Sequence, residues 1–147
     1  LASAAGLQGT YYAWLSDSTT SPAVRFAYAS VPYKLVDGTI IANDWNDLTD
    51  GSIQNPINLD EYGNPAVTNL IYSFTRIDGT PGLFTDPNHN CYGGDCHCNN
   101  WTNDQQQGSP TPGSAMAQSS KANDDWTDYS FVNACGPAGY PIYCFQQ

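Results

Sequence analysis

The amino-acid sequence predicts an α+β domain of short antiparallel strands, one or two short helices and a long cross-linked loop region. Three observations carry this reading. First, the chain holds 14 acidic residues, of which 13 are Asp and one, Glu61, is Glu. With 13 Asn, 13 Gly and 10 Pro beside them, the alphabet is that of turns, because each of these residues stabilises non-repetitive backbone. Long helices want Glu, Lys, Leu and Arg instead. Second, the apolar residues fall in short aromatic and β-branched segments divided by turn clusters, the pattern of brief strands. Third, five cysteines, Cys91, Cys96, Cys98, Cys135 and Cys144, crowd the C-terminal part of the chain.

The 147 residues fit a single domain spanning 1–147. Charged residues make up 12%, about half the usual ~25%. Only 4 are basic, giving a formal net charge of −10. Nucleic acid is therefore a poor partner, since phosphate binding needs clustered Lys and Arg. No apolar run approaches the ~20 residues of a spanning helix. The 4 Trp, 10 Tyr and 5 Phe, with 40% hydrophobic residues, are enough to build a core.

Along the chain, Leu1 to Ala5 are helix formers and Gly6 suits a helix end, so the chain reads as joining a helix near its last turn. Tyr11 to Leu15 is an aromatic strand, followed by the turn cluster 16–24. Arg25 to Tyr28 and Tyr33 to Val36 read as short strands, with Asp37-Gly38 as a tight turn before Thr39 to Ile41. In 42–51 Asn43 can cap, Trp45 and Leu48 lie three apart and Gly51 can close a short helix. Pro56 to Leu59 and Asn69 to Arg76 are further strands, and Asp78-Gly79 is a turn. Thr80 to Gly113 is a long polar loop, and loops of that length are usually functional or cross-linked. Trp126 and Phe131 return to apolar character, and Ile142 to Phe145 forms a last strand. No internal repeat and no domain linker interrupt this order.

The cysteines, beside few lysines, point to a secreted disulfide protein in an extracellular or cell-surface setting. The rival is zinc at Cys91, Cys96, His97 and Cys98, but zinc sites pair such a cluster with a second of similar spacing. Cys135 and Cys144 are nine residues apart in a Gly/Pro loop. An odd count requires a partner elsewhere or a free thiol.

Five blocks, AWLSDS (13–18), LVDGTIIANDWNDLTDG (35–51), PINLDEYG (56–63), CNNWT (98–102) and IYCFQ (142–146), together resemble a bacterial family of secreted endostatin-like, C-type-lectin-like surface domains, as in leptospiral endostatin-like adhesins. The 35–51 block is the most specific. The family often carries Trp-Thr-Gly-Thr in its middle strand; here that stretch reads Tyr72-Ser73-Phe74-Thr75. The resemblance implies a C-type-lectin-like fold with small twisted sheets and a long disulfide-stapled loop region, lacking its first strand and the start of its first helix. It also implies Cys98–Cys135 and Cys91–Cys96 bridges, with Cys144 pairing to an upstream cysteine. The alternative for Cys144 is a free thiol buried in the core.

Calcium is the one cofactor the resemblance raises, since sugar-binding members hold Ca2+ with carboxylate and carbonyl oxygens. The family's Glu-Pro-Asn or Gln-Pro-Asp tripeptide is absent from 109–113. Candidate metal ligands are Asp104, Asp124 and Asp125. Candidate ligand-binding residues are Asn103, Asp104, Asn123, Asp124, Asp125, Trp126 and Tyr129, because aromatic faces among amides and carboxylates suit sugar or protein recognition. Trp14, Trp45 and Trp101 read as core. Asp44, Asp47 and Asp50, three apart, read as capping and surface residues rather than a metal site. His89 and His97 read as exposed loop residues. No Gly-x-Ser-x-Gly turn marks a nucleophile, so no catalytic residue is assigned and the chain is read as a non-enzyme. Asn100-Trp101-Thr102 is a glycosylation sequon that a bacterial protein leaves unused.

The expected function is a non-catalytic extracellular binding or adhesion module that meets a protein or glycan through the region from Thr80 to Gly139. Two alternatives stand beside it. One is a structural subunit of a surface fibre or appendage that associates with itself. The other is a calcium-dependent sugar-binding lectin.

Overall fold

The computed structural model describes residues 2–82, 97–102, 113–134 and 139–147. Among these, seven short strands appear: β1 (Tyr11–Ala13), β2 (Tyr33–Lys34), β3 (Ile40–Ala42), β4 (Leu70–Tyr72), β5 (Gly113–Gln118), β6 (Tyr129–Ala134) and β7 (Cys144–Gln146). Two one-turn helices, α1 (Pro22–Arg25) and α2 (Trp45–Leu48), accompany them. The strands form two two-stranded sheets, β1-β7 and β2-β3, and one three-stranded sheet, β4-β5-β6, all antiparallel. Small antiparallel sheets with few, short helices agree with the α+β expectation.

Several elements follow directly from local chemistry. Leu7 N–H reaches Ala2 O at 3.0 Å and Gly6 N–H reaches Ser3 O at 3.2 Å, the paired bonds that close a helical turn on a left-handed glycine; Gly6 has φ +76°. Asp37-Gly38 closes the β2-β3 turn, with Leu35 N–H on Thr39 O at 2.9 Å. Asp44, not Asn43, caps α2: its carboxylate accepts from Asp47 N–H at 3.0 Å, while the Asp47 carboxylate accepts from Asn43 N–H at 2.6 Å. Asp50 accepts from Ser52 N–H at 3.3 Å. The three acids spaced by three therefore serve caps and turns.

Other elements depart from the sequence expectation. Arg25 to Tyr28 is no strand. Pro22 sits at the start of α1, where its missing N–H costs nothing and its fixed φ favours a helix. Arg25 ends that turn, its guanidinium donating to Ala13 O at 3.0 Å and to Leu15 O. Pro56 to Leu59 makes only an isolated bridge, Leu59 to Pro65. Strand β5, GSAMAQ, has little β-propensity, yet it is the central strand of its sheet. Met116 and Ala117 are fully buried there, and burial between two neighbours overrides propensity.

The core is aromatic and centred on Trp14, which is 0% exposed. Its ring lies 5.0 Å from Trp126, 5.6 Å from Phe145, 5.7 Å from Phe26 and 6.0 Å from Trp45. Trp45 is itself capped by Tyr28, stacked at 4.4 Å. Gly79 closes over the same ring. It has φ +78°, and a Cβ there would stand 3.1 Å from Trp45 and 3.2 Å from Ala23 N.

Beneath the rings lies a buried set of hydroxyls. Trp14 Nε1 donates to Thr127 Oγ1 at 2.6 Å, and Thr127 Oγ1 donates to Thr75 O at 2.9 Å. Thr75 Oγ1 donates to Ser73 O at 3.1 Å. A hydroxyl has one proton, so the remaining contacts are assigned. Ser16 Oγ donates to Thr75 Oγ1 at 2.9 Å, and the Ser73 Oγ proton faces both Thr127 Oγ1 at 3.3 Å and Thr75 O at 3.5 Å. Ser16, Ser73, Thr75 and Thr127 are all buried. Phe74, between Ser73 and Thr75, adopts φ +50°, which turns the chain so that both neighbours face inward.

Thr127→Val keeps the volume at this position but strands the Trp14 indole N–H. The expected loss is about 1–3 kcal/mol of unfolding free energy, measured by urea denaturation. A loss no larger than that of the exposed control Thr10→Val would contradict this account.

Candidate functional site

The described part of the expected recognition region contains one unusual piece of backbone. Cys98, Asn99, Asn100 and Trp101 have φ of 51°, 53°, 54° and 61°, so Cys98–Trp101 is a single helical turn of left-handed sense. Asn tolerates this region because its side chain hydrogen-bonds locally, whereas other side chains pay about 1–2 kcal/mol each. Such conformations persist only where their surroundings over-determine them.

The surroundings here are specific. Trp101 N–H reaches His97 O at 2.7 Å, and the His97 Nδ1 lone pair accepts from Asn100 N–H at 2.9 Å. His97 is buried, not exposed as its loop position suggests, and its ring stands edge-on to Phe74 at 5.3 Å. Trp101 Nε1 donates to Ser16 O at 2.8 Å, and Ser18 N–H donates to Asn100 Oδ1 at 3.0 Å. Cys98 is buried and disulfide-bonded, with a partner outside the described residues.

The loop that receives these bonds is also braced. The Asp17 carboxylate accepts from Thr19 N–H at 2.7 Å, Thr19 Oγ1 at 2.8 Å and Thr20 N–H at 2.9 Å. Partial burial pushes this carboxyl upward, but the Thr19 and Thr20 donors and the Arg25 guanidinium outweigh it and hold its pKa below the ordinary value.

Aromatic rings support the turn from one side. Trp101, half-buried, lies 5.6 Å from Tyr72, and Tyr72 lies 5.3 Å edge-on from Tyr140. Tyr72 pairs with Met116 on β5, and Met116 with Tyr129 on β6, so one cross-strand row joins Tyr129 to this cluster. Asn99, Asn100 and Thr102 stay exposed, with Asn99 Nδ2 donating to Thr102 Oγ1 at 3.0 Å. The arrangement presents amide and hydroxyl groups on fixed backbone beside half-buried rings.

The residues expected from sequence divide as follows. Asn103 and Asp104 lie outside the described residues, as do Cys91, Cys96, Cys135 and His89. Asn123 and Asp124 are exposed, and Asp125 and Tyr129 are half-buried. Asp124 and Asp125 open a 3₁₀ turn, Asp124–Trp126, with Asn123 at its N-cap. Asn123 Nδ2 donates to Asp124 Oδ1 at 3.0 Å and to Asp125 Oδ2 at 3.1 Å, so both carboxylates are engaged by a neighbouring amide. Among the described residues no group of three or more His, Cys, Asp or Glu side chains converges as a metal site would. Trp126 is corrected: at 0% exposure its ring packs on Trp14 and Tyr143 and has no face left for a ligand. Trp101, expected in the core, is only half-buried. Cys144 is free and exposed rather than a buried core thiol; it alternates with the inward Phe145 on β7.

Sequence reasoning missed Asn99, Asn100, Thr102 and Tyr72 as a group. The available signal was Asn99-Asn100 directly before Trp101, a pair suited to left-handed backbone.

No family model matches the chain, and no curated protein matches it.

Because the Asp17 pKa is lowered, its contribution is present above the ordinary carboxylate pKa of about 3.9 and is lost as pH falls through the lower folded value. The Trp101 indole N–H resonance is expected to hold steady from pH 8 to 5 and to move toward its solvent-exposed position below about pH 4. Asp17→Ala is expected to show the moved resonance at every pH. An indole resonance unchanged down to acid unfolding contradicts the bracing role.

Proposed function

We propose that the protein is a non-catalytic extracellular binding module with a C-type-lectin-like, endostatin-like fold, recognising a protein or glycan through the face carried by residues 97–102 and its neighbours. The observation that supports it most is the left-handed turn. Four consecutive residues hold a costly backbone whose only outward products are the Asn99, Asn100 and Thr102 side chains, set beside the Trp101, Tyr72 and Tyr140 rings. Amides and hydroxyls on rigid backbone hydrogen-bond a ligand at little entropic cost, and adjoining ring faces add stacking.

Asp104, Asp124 and Asp125, with Asn103 and Asn123, remain the residues to which a calcium-dependent variant of this reading would assign the ion. Under the same reading Cys98 pairs with Cys135 and Cys91 with Cys96, fixing the region around the turn. No helix among the described residues is long and apolar enough to cross a membrane.

The test is binding to a panel of immobilised glycans and extracellular matrix proteins, read by biolayer interferometry with and without Ca2+. The expected result is at least one saturable ligand, whose affinity falls about tenfold in Asn99→Ala and Tyr140→Ala. Variants that bind as tightly as the parent would contradict the assigned face, and turnover of a panel ligand would contradict the non-catalytic reading. Binding abolished by EDTA and restored by Ca2+ would assign the ion a role.

A further inference from the structure

A groove of about 780 Å3 runs along one side of the molecule, and none of its lining residues comes from 97–102. Its lining takes in every residue of 31–36 and every residue of 141–147, the stretches that contain β2 and β7. Side chains alternate between the two faces of a strand, so a groove over one face would meet every second residue. This one meets the inward Phe145 and the outward Cys144 and Gln146 alike. It therefore follows strand edges. Among the described residues β7 pairs with β1 alone and β2 with β3 alone, and the groove lies along their other sides.

The hydrogen-bond register shows what these edges carry. Trp14 N–H reaches Tyr143 O at 2.9 Å and Gln147 N–H reaches Thr10 O at 2.8 Å, so Tyr143, Phe145 and Gln147 turn their backbone groups to β1. By antiparallel alternation Cys144 and Gln146 turn theirs outward. On β2, Leu35 N–H reaches Thr39 O at 2.9 Å, so Lys34, opposite Ile40, turns its backbone groups away from β3. The two edges differ in protection. Pro32, Lys34 and a register shift between Tyr33 and Lys34 accompany β2, and these are devices that guard an edge against pairing. The Cys-Phe-Gln of β7 has neither charge, proline nor bulge.

The core side chains at the base of the groove, Ile41, Ile71, Tyr143 and Phe145, are already buried. An occupant is therefore held first by backbone pairing and second by the rim, where Val31 is 64% and Val67 99% exposed. That combination matches strand addition, in which main-chain bonds give affinity and alternate side chains give specificity. Charge narrows the occupant further. Asp60 and Glu61 stand at the groove against a single basic lining residue, Lys34. A second copy of this chain would bring another −10 of net charge and be repelled.

We propose that the open edge of β7 takes an extended segment of a separate polypeptide as an added strand, its alternate residues apolar toward the groove and basic toward solvent. The segment pairs with the outward backbone groups of Cys144 and Gln146, and β2 forms the opposite wall. This site is separate from the recognition face at 97–102, and either can fail without the other.

The probe is a fluorescent 10-residue peptide of alternating Val and Lys, read by anisotropy and by amide hydrogen exchange in NMR. Saturable binding is expected, with the Cys144 and Gln146 amides exchanging fast in the free protein and slowly in the complex, while Phe145 is slow in both. A Val/Glu peptide of the same pattern is expected not to bind. N-methylation at every second residue strips the donors from one edge of the peptide, and one of its two isomers is expected to lose binding. Gln146→Pro removes an N–H that the β1 pairing does not use, and is expected to weaken binding about tenfold. Equal binding of the Val/Glu peptide or of both methylated isomers, no new protection at Cys144 and Gln146, or a folded Gln146→Pro that binds as the parent would each overturn the proposal. If that variant does not fold, the exchange readout on the parent decides. A homodimer in sedimentation that protects these amides without peptide would also overturn it, because the edge would then belong to a second copy. So would slow exchange of both amides in the monomer alone, because the chain itself would then cover the edge.

Discussion

The rest of the structure depends on how Trp14 is held. Its ring contacts four other aromatic side chains drawn from the residue after α1, α2, the 3₁₀ turn and β7, and burying a ring of this size is worth about 4–6 kcal/mol as an upper bound. That burial is non-directional; the indole N–H is what gives it an address. The bond to Thr127 places the 3₁₀ turn, and Thr127 in turn contacts Thr75 and Ser73 at the end of β4. Ser16 N–H on Ser73 O at 3.1 Å ties the exit of β1 to the same point. Three segments remote in sequence therefore meet through buried hydroxyls. In a low-dielectric interior such a network is favourable only when complete, which makes it a specifier of one arrangement.

The left-handed turn at 98–101, the face proposed for recognition, is tied to this centre. Ser16 is both a member of the buried network and, through its carbonyl, the acceptor of the Trp101 indole. Two residues on, Ser18 N–H holds Asn100. The left-handed turn is thus fastened to the loop that leaves Trp14, and Phe74, between two network residues, packs on His97 at the turn's start. A costly backbone is held by bonds from the loop that leaves the buried network.

Local chemistry in the sequence was legible wherever one or two residues decide the outcome. Asp37-Gly38 and Asp78-Gly79 make turns, Gly6 ends a helical turn, and the spacing of Trp45 and Leu48 makes a short buried helix. Where tertiary context decides, the pattern misled. Arg25 to Tyr28 alternates like a strand, but Pro22 starts a helix just before it. GSAMAQ carries no strand signal because its burial depends on β4 and β6, which lie on either side in space but not in sequence. Trp126 looked like a displayed aromatic because acids surround it, yet those acids engage Asn123 while the ring turns inward to Trp14. The left-handed turn was hinted at only by Asn99-Asn100, since the sense of a turn is set by what it is tied to.

The central claim is that the Trp14 hydroxyl network opens only when the whole molecule does. Native-state hydrogen exchange of the Trp14 indole N–H tests it most directly. The account predicts exchange with a free energy equal to that of global unfolding, shared by the Ser16, Thr75 and Thr127 amides. Exchange of the Trp14 indole through a local opening well below the global value, while those amides stay protected, would contradict it.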